Sequence, residues 1–150
     1  MCVIVDINVA HQVFCVDNDP EFGTVHQRLF GSRRPMLTIA YGGRLSEEYL
    51  QNREVARLVR VLDGTARAIQ IPSEKIDAEK AFLAQKSGKS RLASNDQHIV
   101  ALARASGARV LLSNDTALWD DFRRKDLVDK PRGHIYRHNQ DHLLSKCAKC

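Results

Sequence analysis

Short, continuous runs of apolar residues separated by segments of helical periodicity constrain this chain more than any other feature. Val3-Ile4-Val5, Met36-Leu37-Thr38-Ile39-Ala40 and Val110-Leu111-Leu112 run on without period-two alternation, so each reads as a strand covered on both faces. Ala66 to Ile71 reads as a further short strand. Between these runs apolar residues recur at helical spacing: Val9 and Val13; Phe22, Val25 and Leu29; Ile99, Val100 and Ala103; Leu118 and Phe122. One helix is expected from Ser46, its N-cap, through Leu50, Val55, Leu58, Val59 and Leu62 to Asp63-Gly64. Another starts at Pro72-Ser73-Glu74, and a third is capped by Ser94-Asn95 with Asp96 in its first turn. Strands alternating with helices predict an α/β protein. Right-handed crossovers make it a three-layer α/β/α sandwich around a central, mostly parallel sheet.

The length of 150 residues supplies one core, and a composition of 43% hydrophobic and 27% charged residues excludes a disordered or fibrous chain. The expected division is a domain over 1–125 followed by a basic extension over 126–150, in which Gly133-His134-Ile135-Tyr136-Arg137 alternates like an edge strand. No stretch approaches the ~18 consecutive apolar residues of a membrane span, and Met1 to Asp6 carries no basic leader segment. Cys2 and Cys15 sit among apolar residues like small core side chains, so a reducing, cytoplasmic compartment is expected and no membrane partner.

Carboxylates carry the chemistry. Asp6 and Asp115 each follow a predicted parallel strand, on the edge where open α/β sheets bind ligands. Asp96 and Glu48 fall near the starts of helices that face the same rim. Taken singly, each acid has an explanation in capping or in the helix dipole. Jointly, nothing in capping requires four acids on one sheet edge, and four converging carboxylates need protonation or a cation to relieve their repulsion. Hard oxygen donors favour Mg2+ or Mn2+ over Zn2+, and such a cation polarises a phosphoryl oxygen and activates water. The reaction class is metal-assisted phosphodiester hydrolysis.

The segment Val3-Ile4-Val5-Asp6-Ile7-Asn8-Val9 resembles the opening strand and Asp-x-Asn motif of PIN-domain nucleases. Ser94-Asn95-Asp96 with its following helix, and Val110-Leu111-Leu112-Ser113-Asn114-Asp115, are similar to the family's second half, and Ser46-Glu47-Glu48-Tyr49-Leu50 to the helix bearing its glutamate. The resemblance runs from Met1 to about Phe122. It implies metal ligation by Asp6, Glu48, Asp96 and Asp115, with Asn8 and Ser113 as supporting polar groups. Glu47 is the rival of Glu48, since adjacent helical residues point about 100° apart. Where many members carry a further acid this chain has Ala117, with Asp120 and Asp121 as the substitutes within reach. The implied activity is endoribonuclease cleavage leaving a 5'-phosphate and a 3'-hydroxyl. The small, free-standing form implies the toxin of a toxin-antitoxin pair or a defence nuclease, with a protein inhibitor and a homodimer as expected partners. A non-catalytic nucleic-acid-binding or partner-binding module on the same fold is the alternative.

The net charge of +5 is not evenly spread: residues 1–122 carry 15 basic and 15 acidic side chains, residues 123–150 eight and three. A basic end on a neutral body suits a polyanion such as RNA. Lys86, Lys89 and Arg91, just ahead of Asp96, and Arg123 and Arg124 are the candidate phosphate contacts. In the extension, His138, His142, Cys147 and Cys150 have donor types that suit a structural Zn2+ site, the alternatives being a basic RNA-contacting arm or a disordered tail.

Overall fold

The computed structural model describes residues 2–15, 19–138 and 140–145. Its sheet is built from β1 (Cys2–Val5), β2 (Thr38–Tyr41), β3 (Ala68–Gln70), β4 (Val110–Leu112) and β5 (His134–Ile135). Their order is β3-β2-β1-β4-β5, and every ladder is parallel. The helices are α1 (Ile7–Phe14), α2 (Gly23–Leu29), α3 (Gly43–Gln51), α4 (Arg53–Gly64), α5 (Ser73–Ala84), α6 (Gln97–Ser106), α7 (Thr116–Arg123) and α8 (Asp141–Leu144), with a 3-10 turn at Gly88–Ser90. Contacts link α1 with α2, α3 and α4, and α5 with α6, the grouping expected when right-handed crossovers set the two sets of helices on opposite faces of a parallel sheet. This is the expected α/β/α sandwich.

Burial matches the strand order. Cys2, Val3, Ile4 and Val5 are all inaccessible, and so are Val110, Leu111 and Leu112, as befits two adjacent strands with a neighbour on either side. They lie in register, Val3 opposite Val110 and Val5 opposite Leu112. The chain runs outward from β1 through β2 to β3, then returns to the other side of β1 for β4, so the order reverses between β1 and β4. Adjacent strands leaving in opposite directions open a crevice beyond their carboxyl ends, the place where sheets of this kind bind ligands.

Several boundaries differ from expectation. Helix α3 starts at Gly43, so Ser46 lies in its second turn and caps nothing, and Glu47 and Glu48 are mid-helix instead of at its positive end. Gly42 replaces Ser46 at the start: its φ of 153° is glycine's territory, and a Cβ there would meet the Ile71 carbonyl oxygen at 2.6 Å. The single expected helix breaks at Asn52, whose side chain accepts the Val55 amide and caps α4. Strand β2 begins two residues late because the Leu37 amide donates to the Arg28 carbonyl and not to the ladder. Asp96, expected in the first turn of α6, is its N-cap.

The extension is not a tail over its described part. Leu127, Val128, Ile135, Tyr136 and Leu144 join the same hydrophobic cluster as β1 and β4, and β5 is the edge strand read from the alternation. Arg109 sews it down, donating from Nε to the Pro131 carbonyl at 2.8 Å and from Nη2 to the Asp129 carbonyl at 3.3 Å. The described part of the extension therefore packs into the same core as the described residues of 1–125. Cys2 is buried as expected, but disulfide-bonded instead of a free thiol; of the described cysteines, Cys15 is free. Among the described residues no helix is long and apolar enough to cross a membrane.

Candidate active site

The site is assembled from the ends of β1 and β4. Asp6 follows β1, and its amide donates to the Leu112 carbonyl at 2.9 Å, extending the parallel ladder to the crevice. It stands at the N-cap of α1 yet makes no capping hydrogen bond. Its Oδ2 instead accepts from the Ser113 hydroxyl at 2.6 Å. That hydroxyl also accepts from the Asp115 amide at 3.0 Å and from Asn8 Nδ2 at 3.3 Å, while Asn8 Oδ1 accepts the Asn114 amide at 3.1 Å. Asn8 and Ser113 thus tie the two strand ends together.

Asp115 caps α7, its Oδ1 accepting the amides of Ala117 at 2.8 Å and Leu118 at 3.1 Å. Asp96, at the N-cap of α6, caps nothing. Its side chain lies within hydrogen-bonding reach of the Asp115 carboxylate; burial first, and then that neighbour and Asp6, push the Asp96 carboxyl above its usual range. Asp6 is raised in the same direction by burial, with the Glu48 charge adding to it and the Ser113 hydroxyl opposing. Three aspartates are therefore brought together where two of them resist ionising.

Of the two glutamates on α3, Glu48 is the one turned toward the rim acids. Glu47 is exposed, whereas Glu48 turns inward: Oε1 accepts from Arg44 Nε at 3.0 Å and Oε2 lies 3.3 Å from His98 Nε2. His98 is the residue that sequence reading passed over. It is buried on α6, its Nδ1 has no hydrogen-bond partner among the described residues, and that atom lies 3.9 Å from Asp96 Oδ1. The imidazole is wedged between the Glu48 and Asp96 carboxylates. Tyr49 closes the floor, its hydroxyl donating to the Val5 carbonyl. Burial, reinforced by Asp6 and Glu48, holds that phenol well above its ordinary range.

Asp121 does not fill the place that Ala117 leaves without an acid. It is fully buried, and its two oxygens accept the amides of Ala93 and Ser94, each at 2.8 Å, fixing the loop that leads to Asp96. Asp120 is exposed. Of the candidate phosphate contacts, Lys86 is paired with Asp126 at 3.7 Å and packs over the Phe82 ring, and Arg124 holds Asp126 and the carbonyls of Ser90 and Arg91. Lys89, Arg91 and Arg123 are exposed. A cation missed in the sequence is Arg137, stacked over Trp119 at 4.5 Å, while the Trp119 indole donates to the Ser113 carbonyl at 2.8 Å. His138 and His142 are exposed, with His138 3.9 Å from Glu21; Cys147 and Cys150 lie outside the described residues.

The donor types at this rim are hard oxygens, although among the described residues the rim acids do not bring three ligand atoms within 4.8 Å of one another as they stand. The rim offers carboxylate oxygens from four elements, two of them raised by burial and mutual repulsion, which a bound cation relieves. No protein-family model matches the chain, and the search of curated proteins finds no relative.

Proposed function

We propose that this chain is a divalent-metal-dependent endoribonuclease of the PIN type. The observation that carries the reading is the meeting of Asp6, Asp96 and Asp115 at the β1–β4 crevice, with Glu48 joined to them through His98. Ordinary helix capping does not account for it: Asp6 and Asp96 sit at N-caps without capping, and Glu48 is mid-helix. Asp6, Glu48, Asp96 and Asp115 would hold Mg2+ or Mn2+. When bound, such a cation polarises a phosphoryl oxygen and makes water a stronger nucleophile.

The protein's own residues supply position and charge. Ser113 orients Asp6 and Asp115 together, Asp121 fixes the loop entering Asp96, and Arg44 balances Glu48. Lys89, Arg91, Arg123 and Arg137 are the exposed cations offered to a phosphate backbone. RNA as substrate, and a toxin-like or defence role with a protein inhibitor and a dimeric state, rest on the family resemblance alone. A cytoplasmic site of action rests on the substrate class. It does not rest on the thiols, because disulfides such as that of Cys2 are rare in reducing compartments.

The test is cleavage of a mixed single-stranded RNA pool with Mg2+ or Mn2+. Wild type is expected to cleave, EDTA to abolish cleavage, and Asp6→Asn to lower the rate at least about a hundredfold, roughly 2.7 kcal/mol in barrier. Equal cleavage by both proteins refutes the assignment. RNA bound but uncleaved by either moves the reading to a binding module, which the missing acid at Ala117 favours.

A further inference from the structure

A second cluster of ligating side chains lies at the other end of α1. Asp6 and Cys15 flank this helix, which separates them by about 13 Å along its axis at 1.5 Å per residue. His11 and Cys15 are one turn apart and share a face. The first turn of α4 brings Glu54 against them, with Glu54 Oε2 3.3 Å from His11 Nε2. A nitrogen of His11, the sulfur of Cys15 and an oxygen of Glu54 all lie within 4.8 Å of one another. The Cys15 thiol is free.

We propose that His11, Cys15 and Glu54 form a binding site for a borderline-soft divalent cation of the Zn2+ class, with its fourth position open to water. One nitrogen, one thiolate and one carboxylate suit Zn2+ and not Mg2+. Metal–ligand distances of about 2.0–2.1 Å give a tetrahedral nitrogen–oxygen edge of roughly 3.3 Å, the observed His11–Glu54 separation. The sulfur edges need roughly 3.6 Å, so the cluster closes by side-chain rotation, and the exposed His11 and Glu54 rotate at little cost. The negative end of the α1 dipole adds attraction for a cation. A His11–Glu54 ion pair explains two of the three residues, but not the convergence of the sulfur. A cation here clips α1 to α4 and does not depend on the nuclease reading.

The test uses the full chain with the Cys2 disulfide intact, kept under argon without added thiol or phosphine and titrated with Co2+ as the spectroscopic probe and then with Zn2+. Wild type is expected to develop a thiolate-to-cobalt charge-transfer band saturating at about one equivalent and displaced by Zn2+. The band disappears in Cys15→Ser, and affinity falls at least about tenfold in His11→Gln and in Glu54→Gln, two surface changes that leave the core intact. It persists in the Cys147→Ser/Cys150→Ser double variant and in Asp6→Asn. A band that survives Cys15→Ser, that vanishes with the C-terminal cysteines, or that never forms in wild type overturns the proposal.

Discussion

At the scale of the residue, the rim acids stand in tension with the fold. Asp6 and Asp96 titrate near 3.8 when unfolded and are raised in the folded chain, chiefly by burial. Just above pH 3.8 the folded protein therefore holds more protons than the unfolded one. Stability is fully present below that value and is lost as pH rises through the raised folded values. Asp6→Asn keeps an oxygen to accept from Ser113 and removes the charge. In metal-free protein at pH 7 it should raise Tm by about 2–4 °C, on the order of 1 kcal/mol, and flatten the decline above pH 4. Mg2+ should stabilise wild type and not the variant. A lower Tm for Asp6→Asn at pH 7, measured by calorimetry, refutes this account. Asp6, Asp96 and Asp115 were legible because each ends an apolar run or opens an apolar helix. His98 was not, because it sits beside Ile99 and Val100 on a buried face and reads as core.

At the scale of the element, the break between α3 and α4 decides which glutamate points inward. Counting on from Tyr49 at helical spacing gives Asn52, Arg53, Ala56 and Arg60, three of them exposed and polar, whereas α4 buries Val55, Ala56, Val59 and Leu62. The apolar phase resets at Asn52, and the exposure of Leu50 marks the same discontinuity. The signal was present in the sequence, but a run of apolar residues hid it. Gly42 was harder to read, since its positive φ answers to the distant Ile71 carbonyl. Asn52→Ala removes a cap and should cost about 1 kcal/mol, lowering Tm by roughly 2–4 °C. If loss of the cap lets α3 run on past Asn52, it should also weaken the Glu48–His98 contact, read as a shift of the His98 ring resonances. An unchanged Tm would show that tertiary packing alone holds the helix break.

At the scale of the whole molecule, sheet order is what the sequence withheld. Each apolar run announces a strand, but which runs become neighbours depends on crossovers that no local pattern encodes. β5 shows this most sharply: two residues of edge strand organise a segment that composition alone presents as a basic tail. The charge excess of 123–150 is real, yet Arg124 and Arg132 donate to backbone carbonyls and Arg137 stacks on Trp119. The same segment buries Leu127, Val128, Ile135, Tyr136, Leu143 and Leu144. Six such side chains at about 1.5–3 kcal/mol each contribute on the order of 10 kcal/mol, comparable with the whole stability of a domain this size. Close packing adds to this, since a Cβ at Gly133 would stand 2.0 Å from the Phe122 carbonyl oxygen. A fragment ending at Lys125 strips that cover and leaves the edge of β4 unpaired next to the site, an invitation to aggregation. It should show no cooperative thermal transition and should bind a hydrophobic dye strongly, where the full chain unfolds in one step. A fragment that melts cooperatively within a few degrees of the full chain would return 126–150 to the standing of an appendage.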